Sequence, residues 1–151
     1  VAMCVNDIIC SGARPLFFLD YFASANIEEK QYLTVLHSIK KGCETANIPL
    51  IGGETAELPT LLPDKHFDVV GIVKKEELID GSGIEKGDVV LGLPSNGFHS
   101  NGYSLIRKIF DKQIFEPYID ALLKPTEIYV SKVLSLLEKG IKIKGIAHIT
   151  G

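Results

Sequence analysis

Cysteine is scarce in this chain, with three among 151 residues: Cys4, Cys10 and Cys43. The odd count and the lack of metal-ligand spacing argue against a disulfide framework or a zinc site. Cys4 and Cys10, six apart, would not share a helix face. All three read as small buried hydrophobes in a reducing compartment. No run of Lys or Arg points to nucleic acid or an anionic membrane, and the net charge of −3 with a pI near 5.8 favours neither. Lys40-Lys41 and Lys74-Lys75 read as solvated ends of helix and strand. No apolar stretch is long enough to span a bilayer, and no signal-peptide pattern is present, so the expectation is a cytoplasmic protein. Walker, Rossmann and zinc spacings are all missing. The chain also lacks an initiator Met and stops just after a strand-like run at residues 146–151, which leads us to expect a fragment.

Hydrophobic residues make up 46% and charged residues 23%, the profile of a globular protein. A chain of this length can bury a real core as one large or two small domains. Residues 1–13 are apolar nearly all round, interrupted by Asn6 and Asp7, and predict a buried helix ended by Gly12 and Pro15. Residues 16–18 predict a short strand. Asn26 and Glu29 suggest a capping box. Tyr32, Val35, Leu36, Ile39, Cys43 and Ala46 then give an amphipathic helix closed by Asn47 and Pro49. Leu50-Ile51 predicts a strand leading into a glycine pair. Residues 58–63 read as a loop and 67–73 as another strand. Residues 79–83 are the best candidate for a domain boundary, which divides the chain into 1–80 and 81–151. Beyond it come a strand at 89–93 and a helix through Leu105, Ile106, Ile109 and Phe110. A second helix is expected from Thr126 as N-cap, with Val130, Val133, Leu134 and Leu137 inward and Gly140 after its end. Alternating helices and strands make the class α/β or α+β.

Two segments carry the chemistry. Gly52-Gly53-Glu54-Thr55-Ala56-Glu57 sets two carboxylates behind glycines that permit close approach of backbone or ligand. Ser95-Asn96-Gly97-Phe98-His99-Ser100-Asn101-Gly102 packs hydroxyls, amides and a histidine ahead of a helix, an arrangement suited to a phosphorylated ligand. A carboxylate within an apolar helix needs a partner, so Asp7 either caps a neighbouring loop or binds a cation. Glu57 either faces water or joins Glu54. A hard cation such as Mg²⁺ takes one or two carboxylates plus substrate phosphates, and Asp7 and Glu54 are the pair available from two elements. His99 is a ligand contact or a loop histidine bonded to backbone, and His148 a core histidine or a ligand. His37 and His66 read as surface residues. Asn96 and Asn101 also suit left-handed turns and caps. These residues alone lead to a phosphate-handling α/β protein.

At Val1-Ala2-Met3-Cys4-Val5-Asn6-Asp7, Gly12-Ala13, Pro15-Leu16-Phe17-Phe18-Leu19-Asp20-Tyr21, Gly52 to Leu58, Leu93 to Arg107, Pro125-Thr126 with Tyr129-Val130, and Gly145 to Gly151, the chain resembles the phosphoribosylformylglycinamidine cyclo-ligase (aminoimidazole ribonucleotide synthetase) family. The resemblance implies a two-domain fold of mixed sheets with packed helices, homodimers, and ATP-dependent ring closure of formylglycinamidine ribonucleotide in purine biosynthesis. It implies Asp7, Glu54 and His99 as catalytic residues, with Asp7 and Glu54 also holding the metal. Asn6, Asp7, Gly53, Glu54, Thr55 and Glu57 would lie at ATP and Mg²⁺. Ser95, Asn96, His99, Ser100, Asn101 and Gly102 would lie at the substrate, with His99 nearest its reacting part. A glycine-rich segment upstream of Val1 and further glycines beyond Gly151 complete the family pattern, and Thr60-Leu61-Leu62 departs from it. The alternatives are another ATP-using relative, such as a small-molecule kinase or synthase, and a non-catalytic fragment of the fold.

Overall fold

The structure, a computed structural model, describes residues 1–57, 66–109 and 116–150. The expected loop at 58–63, with Thr60-Leu61-Leu62, lies outside the described residues, as do Phe110 and Gly151. Helix α1 (Ala2–Cys10) buries Val5, Asn6 and Ile9 on one face. Gly12 adopts φ 77, a left-handed conformation open to glycine, and turns the chain into strand β1 (Arg14–Ser24). This strand is much longer than the expected 16–18. It is the central strand, and ladder partners on both edges carry it through Asp20 to its end. Pro15 sits beside an irregularity in the ladder, where its missing N–H does least harm.

Helix α2 (Glu29–Ala46) is the crossover that a parallel β1–β2 pair requires. Ile39, Cys43 and Ala46 are buried, Val35 and Leu36 pack beside them, and Tyr32 meets Phe22 edge to face at 5.1 Å. Asn47, at φ 56, closes it as expected. The capping box does not form: Glu28 is the N-cap and makes no side-chain cap bond. Instead the Ile27 N–H donates to Glu57 Oε1 at 3.0 Å, and Ser24 Oγ donates to the Asn26 carbonyl at 2.8 Å. The sheet itself holds the chain entering α2.

Strand β2 (Leu50–Glu57) runs past the predicted strand at Leu50-Ile51 and takes in the glycines and both carboxylates. Residues 52–57 each find a register partner from Leu19 to Ser24, so the ladder continues. Gly53 is opposite Asp20, where a Cβ would collide with the Asp20 carboxylate and carbonyl. Strand β3 (His66–Ile72) adds the other edge antiparallel, and the order β2-β1-β3 makes a mixed sheet.

The second half contains a 3₁₀ turn at Lys75–Glu77, helix α3 (Tyr103–Ile109), a 3₁₀ turn at Glu116–Tyr118, helix α4 (Ile119–Leu122) and helix α5 (Val130–Glu138). Helix α5 starts three residues later than Thr126 as N-cap would require, and the Thr126 hydroxyl pairs with Ser100 instead. Its inward Val130 and Val133 join Val5, Ile9, Phe18, Ile39, Cys43, Ala46 and Ile48 in one core. Gly140, at φ 74, ends it as expected. The strand expected at 89–93 and the strand-like run after 146 lie in no sheet among the described residues. A strand persists only where a ladder partner takes its backbone groups. Without one, Val89, Val90 and Leu91 are 82%, 94% and 86% exposed.

Candidate functional site

The loop at 95–102 folds against segment 125–129, which has no regular secondary structure and precedes α5. Asn96 Nδ2 donates to the Pro125 carbonyl at 3.0 Å and to Glu127 Oε2 at 3.4 Å. Ser100 and Thr126 share a hydroxyl hydrogen bond of 3.1 Å, and Tyr129 Oη donates to the Pro94 carbonyl at 2.9 Å. Burial first, and Glu127 second, push the Tyr129 phenol up, against the opposing pull of Lys132, so it stays a neutral donor. Lys132 Nζ sits 2.7 Å from Glu127 Oε1 and 5.5 Å from the Tyr129 ring centre.

His99 occupies the turn between these strips at φ 55, an uncommon conformation for a non-glycine residue. The Tyr103 hydroxyl lies 3.1 Å from the His99 carbonyl and also contacts that of Leu122. The His99 ring is 6.2 Å from that of Tyr129, centre to centre. Gly102, at φ 83, receives the first α3 amides on its carbonyl. Ser95, Ser100 and Gly102 are exposed, whereas Asn96 and Asn101 are half-buried. Asn96 Oδ1 is a buried acceptor with no partner among the described residues. The candidate substrate residues therefore form one cluster, with an acceptor left over.

Asn6 ties this cluster to α1. It is buried, with Nδ2 donating to the Glu127 carbonyl at 2.8 Å and Oδ1 accepting from the Tyr129 N–H at 3.0 Å. The buried polar residue of this helix is Asn6; Asp7, expected to be buried, has a side chain 65% exposed. Val5, Asn6 and Ile9 take the core face, and the helical turn carries Asp7 outward. Asp7 Oδ1 meets His148 Nδ1 at 2.7 Å. The His148 side chain is 9% exposed, and its Nε2 has no partner among the described residues. Burial raises the Cys10 thiol, with Asp7 adding to that and a backbone bond from His148 opposing it, so Cys10 is no thiolate nucleophile.

The carboxylates of β2 lie elsewhere. Thr55 Oγ1 bonds Tyr32 Oη of α2 at 2.8 Å, so Thr55 faces the helices. Strand alternation turns Glu54 to the opposite face, where it is exposed and accepts the Thr55 N–H at 3.2 Å. Helix α1 shares the helix side through Val5 and Ile9. Asp7 and Glu54 therefore lie on opposite sides of the sheet. Together they do not compose a magnesium site within one chain, and no group of three metal-ligating side chains occurs among the described residues. Gly53 makes room for Asp20, and Glu57 holds the entry to α2.

Sequence reasoning missed Glu127 and Tyr129, and the partners of Thr126 and His148. Their signal was the polar stretch around Pro125, which read as a helix cap. Asn6 also gave a signal, since an amide inside an apolar helix must find backbone to bond.

Comparison with known proteins places this arrangement. Residues 1–73 match the family described as AIR synthase related protein, N-terminal domain, and residues 85–151 match its C-terminal domain. The chain belongs to the AIR synthase related family. It is similar to proteins named phosphoribosylformylglycinamidine cyclo-ligase. One from Caldanaerobacter subterraneus subsp. tengcongensis is 53% identical, across all of this chain and 49% of the relative. One from Alkaliphilus oremlandii is 50% identical across all of this chain and 48% of the relative. One from Burkholderia pseudomallei is 52% identical, covering 46% of the relative. The chain spans about half the length of the curated relatives it matches. No described helix is long and apolar enough to cross a membrane.

Proposed function

We propose that the protein carrying this chain is an ATP-dependent cyclo-ligase that closes the imidazole ring of formylglycinamidine ribonucleotide, releasing ADP and phosphate, in purine biosynthesis. The observation that carries this reading is the 50–53% identity over the whole chain to relatives of that name. The clustered loop at 95–102 supports it. In the reaction, the formyl oxygen takes the γ-phosphoryl group of ATP as the bond to ADP breaks. An amidine nitrogen then attacks the formyl carbon, the carbon–oxygen bond breaks, and phosphate leaves. The protein's part is positioning and charge neutralisation. Residues 95–102 hold the ribose-phosphate substrate and place His99 at its reacting end. The region around Glu54, Thr55 and Glu57 takes the nucleotide. Mg²⁺ accompanies the ATP phosphates, and within one chain Asp7 and Glu54 do not share it. Residues 1–80 belong to an ATP-binding and dimerisation domain and 81–151 to a substrate domain, in a cytoplasmic homodimer.

A coupled assay of the intact protein tests the reading, measuring ADP release from Mg-ATP with and without formylglycinamidine ribonucleotide and following the aminoimidazole product. Substrate-dependent ADP with matching product supports it. ATP turnover without that product assigns the protein to another ATP-using relative. A folded, intact protein with no turnover is a non-catalytic member of the fold.

A further inference from the structure

His99 has two ring nitrogens in unlike surroundings. Nε2 faces two backbone donors, the Asn96 N–H at 3.4 Å and the Glu127 N–H at 3.5 Å. Nδ1 has no hydrogen-bond partner among the described residues. Two long bonds are individually weak, yet together they fix which nitrogen carries the proton. A proton on Nε2 would oppose both amides and leave them without an acceptor. Turning the ring over would put a C–H bond there, with the same result. Nε2 is therefore the acceptor, and Nδ1 carries the hydrogen, the reverse of the tautomer a free imidazole prefers in water.

The ring is also held in place. Asn96, one of the two donors, is tied by its side chain to Pro125 and Glu127. Glu127, whose N–H is the other donor, is held at its carbonyl, in the following peptide group, by Asn6 and at its carboxylate by Lys132. The Tyr103 hydroxyl holds the His99 carbonyl at a left-handed φ of 55. These bonds run from α1 through residue 127 to one imidazole face and leave the other nitrogen unpaired. Backbone held in a rare conformation with an unused donor marks a functional residue.

We propose that His99 is a hydrogen-bond donor through Nδ1–H to a substrate oxygen that gains negative charge, and is not the base that takes the amidine proton. Asn6 is a positioning residue that acts on His99 through the backbone of Glu127. This rests on the cyclo-ligase reading for the identity of the substrate, but the tautomer stands or falls without it.

Long-range ¹H–¹⁵N correlation on the ¹⁵N-histidine-labelled intact protein reads the tautomer directly, with His99→Asn as the assignment control. The expected spectrum has His99 protonated at Nδ1, and a proton on Nε2 overturns the proposal. Activity gives an independent arm, because an asparagine amide nitrogen overlays Nδ1 of histidine, whereas that of glutamine reaches Nε2. His99→Gln should lower kcat about 100-fold, the effect of losing a transition-state donor, and His99→Asn about 10-fold. A glutamine variant as active as the asparagine variant, or more so, contradicts the donor role. An intact protein with the Nδ1–H tautomer but no ring-closing activity would overturn the substrate reading and leave the geometry intact.

Discussion

The two halves of this chain reach order by different means. Among the described residues of 1–72 the backbone satisfies itself: three strands in register and two helices build most of one core around Phe18. From residue 81 onward there is no strand among the described residues, and apolar side chains such as Val90 stand in water. Apart from helix α5, whose Val130 and Val133 join that core, the order of the second half comes from side chains reaching across. Asn6 grips residues 127 and 129, Asp7 meets His148, Tyr129 holds Pro94, and Lys144 bridges Asp88. The candidate site lies in that second kind of structure, where a few removable bonds set the geometry.

Substitutions should separate these two kinds of order. The largest loss is expected from Phe18→Ala, which empties the centre of the shared core. Urea denaturation should show a loss of about 3–5 kcal/mol. Next comes Asn6→Ala, which leaves the Tyr129 N–H and Glu127 carbonyl unpaired. A loss of about 2 kcal/mol is expected, together with a fall in ring-closing kcat in the intact protein. Asp7→Asn should remove most activity while the unfolding free energy from urea denaturation falls by less than about 1 kcal/mol, because the Asp7 side chain is largely exposed. Unaltered turnover by that variant would exclude Asp7 from the chemistry. In the 151-residue chain, Val90→Lys should change stability by no more than about 0.5 kcal/mol, since Val90 buries almost nothing. A large loss there would show that the second half has a core of its own.

The smallest effect concerns pH. The Lys144 hydrogen bond, and then the Glu85 backbone bond, hold the Asp88 carboxyl below its usual range, and Asp88 in turn raises Lys144. The folded form therefore favours ionised Asp88. Its stabilisation is present above the ordinary carboxylate range and is lost as pH falls through the lowered value. Lys144→Met should reduce that acid-side dependence, leaving the part due to the Glu85 N–H, and pH titration followed by NMR of the 85–88 turn checks it.

Helices α1 and α2 were legible from spacing, because each buries one apolar stripe and ends at a residue suited to left-handed backbone, Gly12 or Asn47. The lengths of β1 and β2 were not. Ladder pairing carried β1 over the charged Asp20 and β2 over two glycines, and neighbouring strands supply that pairing. The reverse happened at 89–93, where good strand residues found no partner. In the site, the loop at 95–102 was readable from its composition. Its bracing by Glu127, Tyr129 and Asn6 was hidden, because those bonds join residues 28 to 123 positions apart, mostly through backbone atoms that any sequence would supply. Asp7 and Glu54 looked like a pair because sequence does not tell which face of a sheet a carboxylate takes.

Amide hydrogen exchange on the intact protein and its Asn6→Ala variant tests most directly whether α1 braces the site. The account expects Asn96, Glu127 and Tyr129 amides to exchange at least about tenfold faster in the variant, while the β1 and β2 amides keep their protection. Unchanged exchange at residues 96, 127 and 129, or an equal loss of protection throughout the sheet, would contradict it.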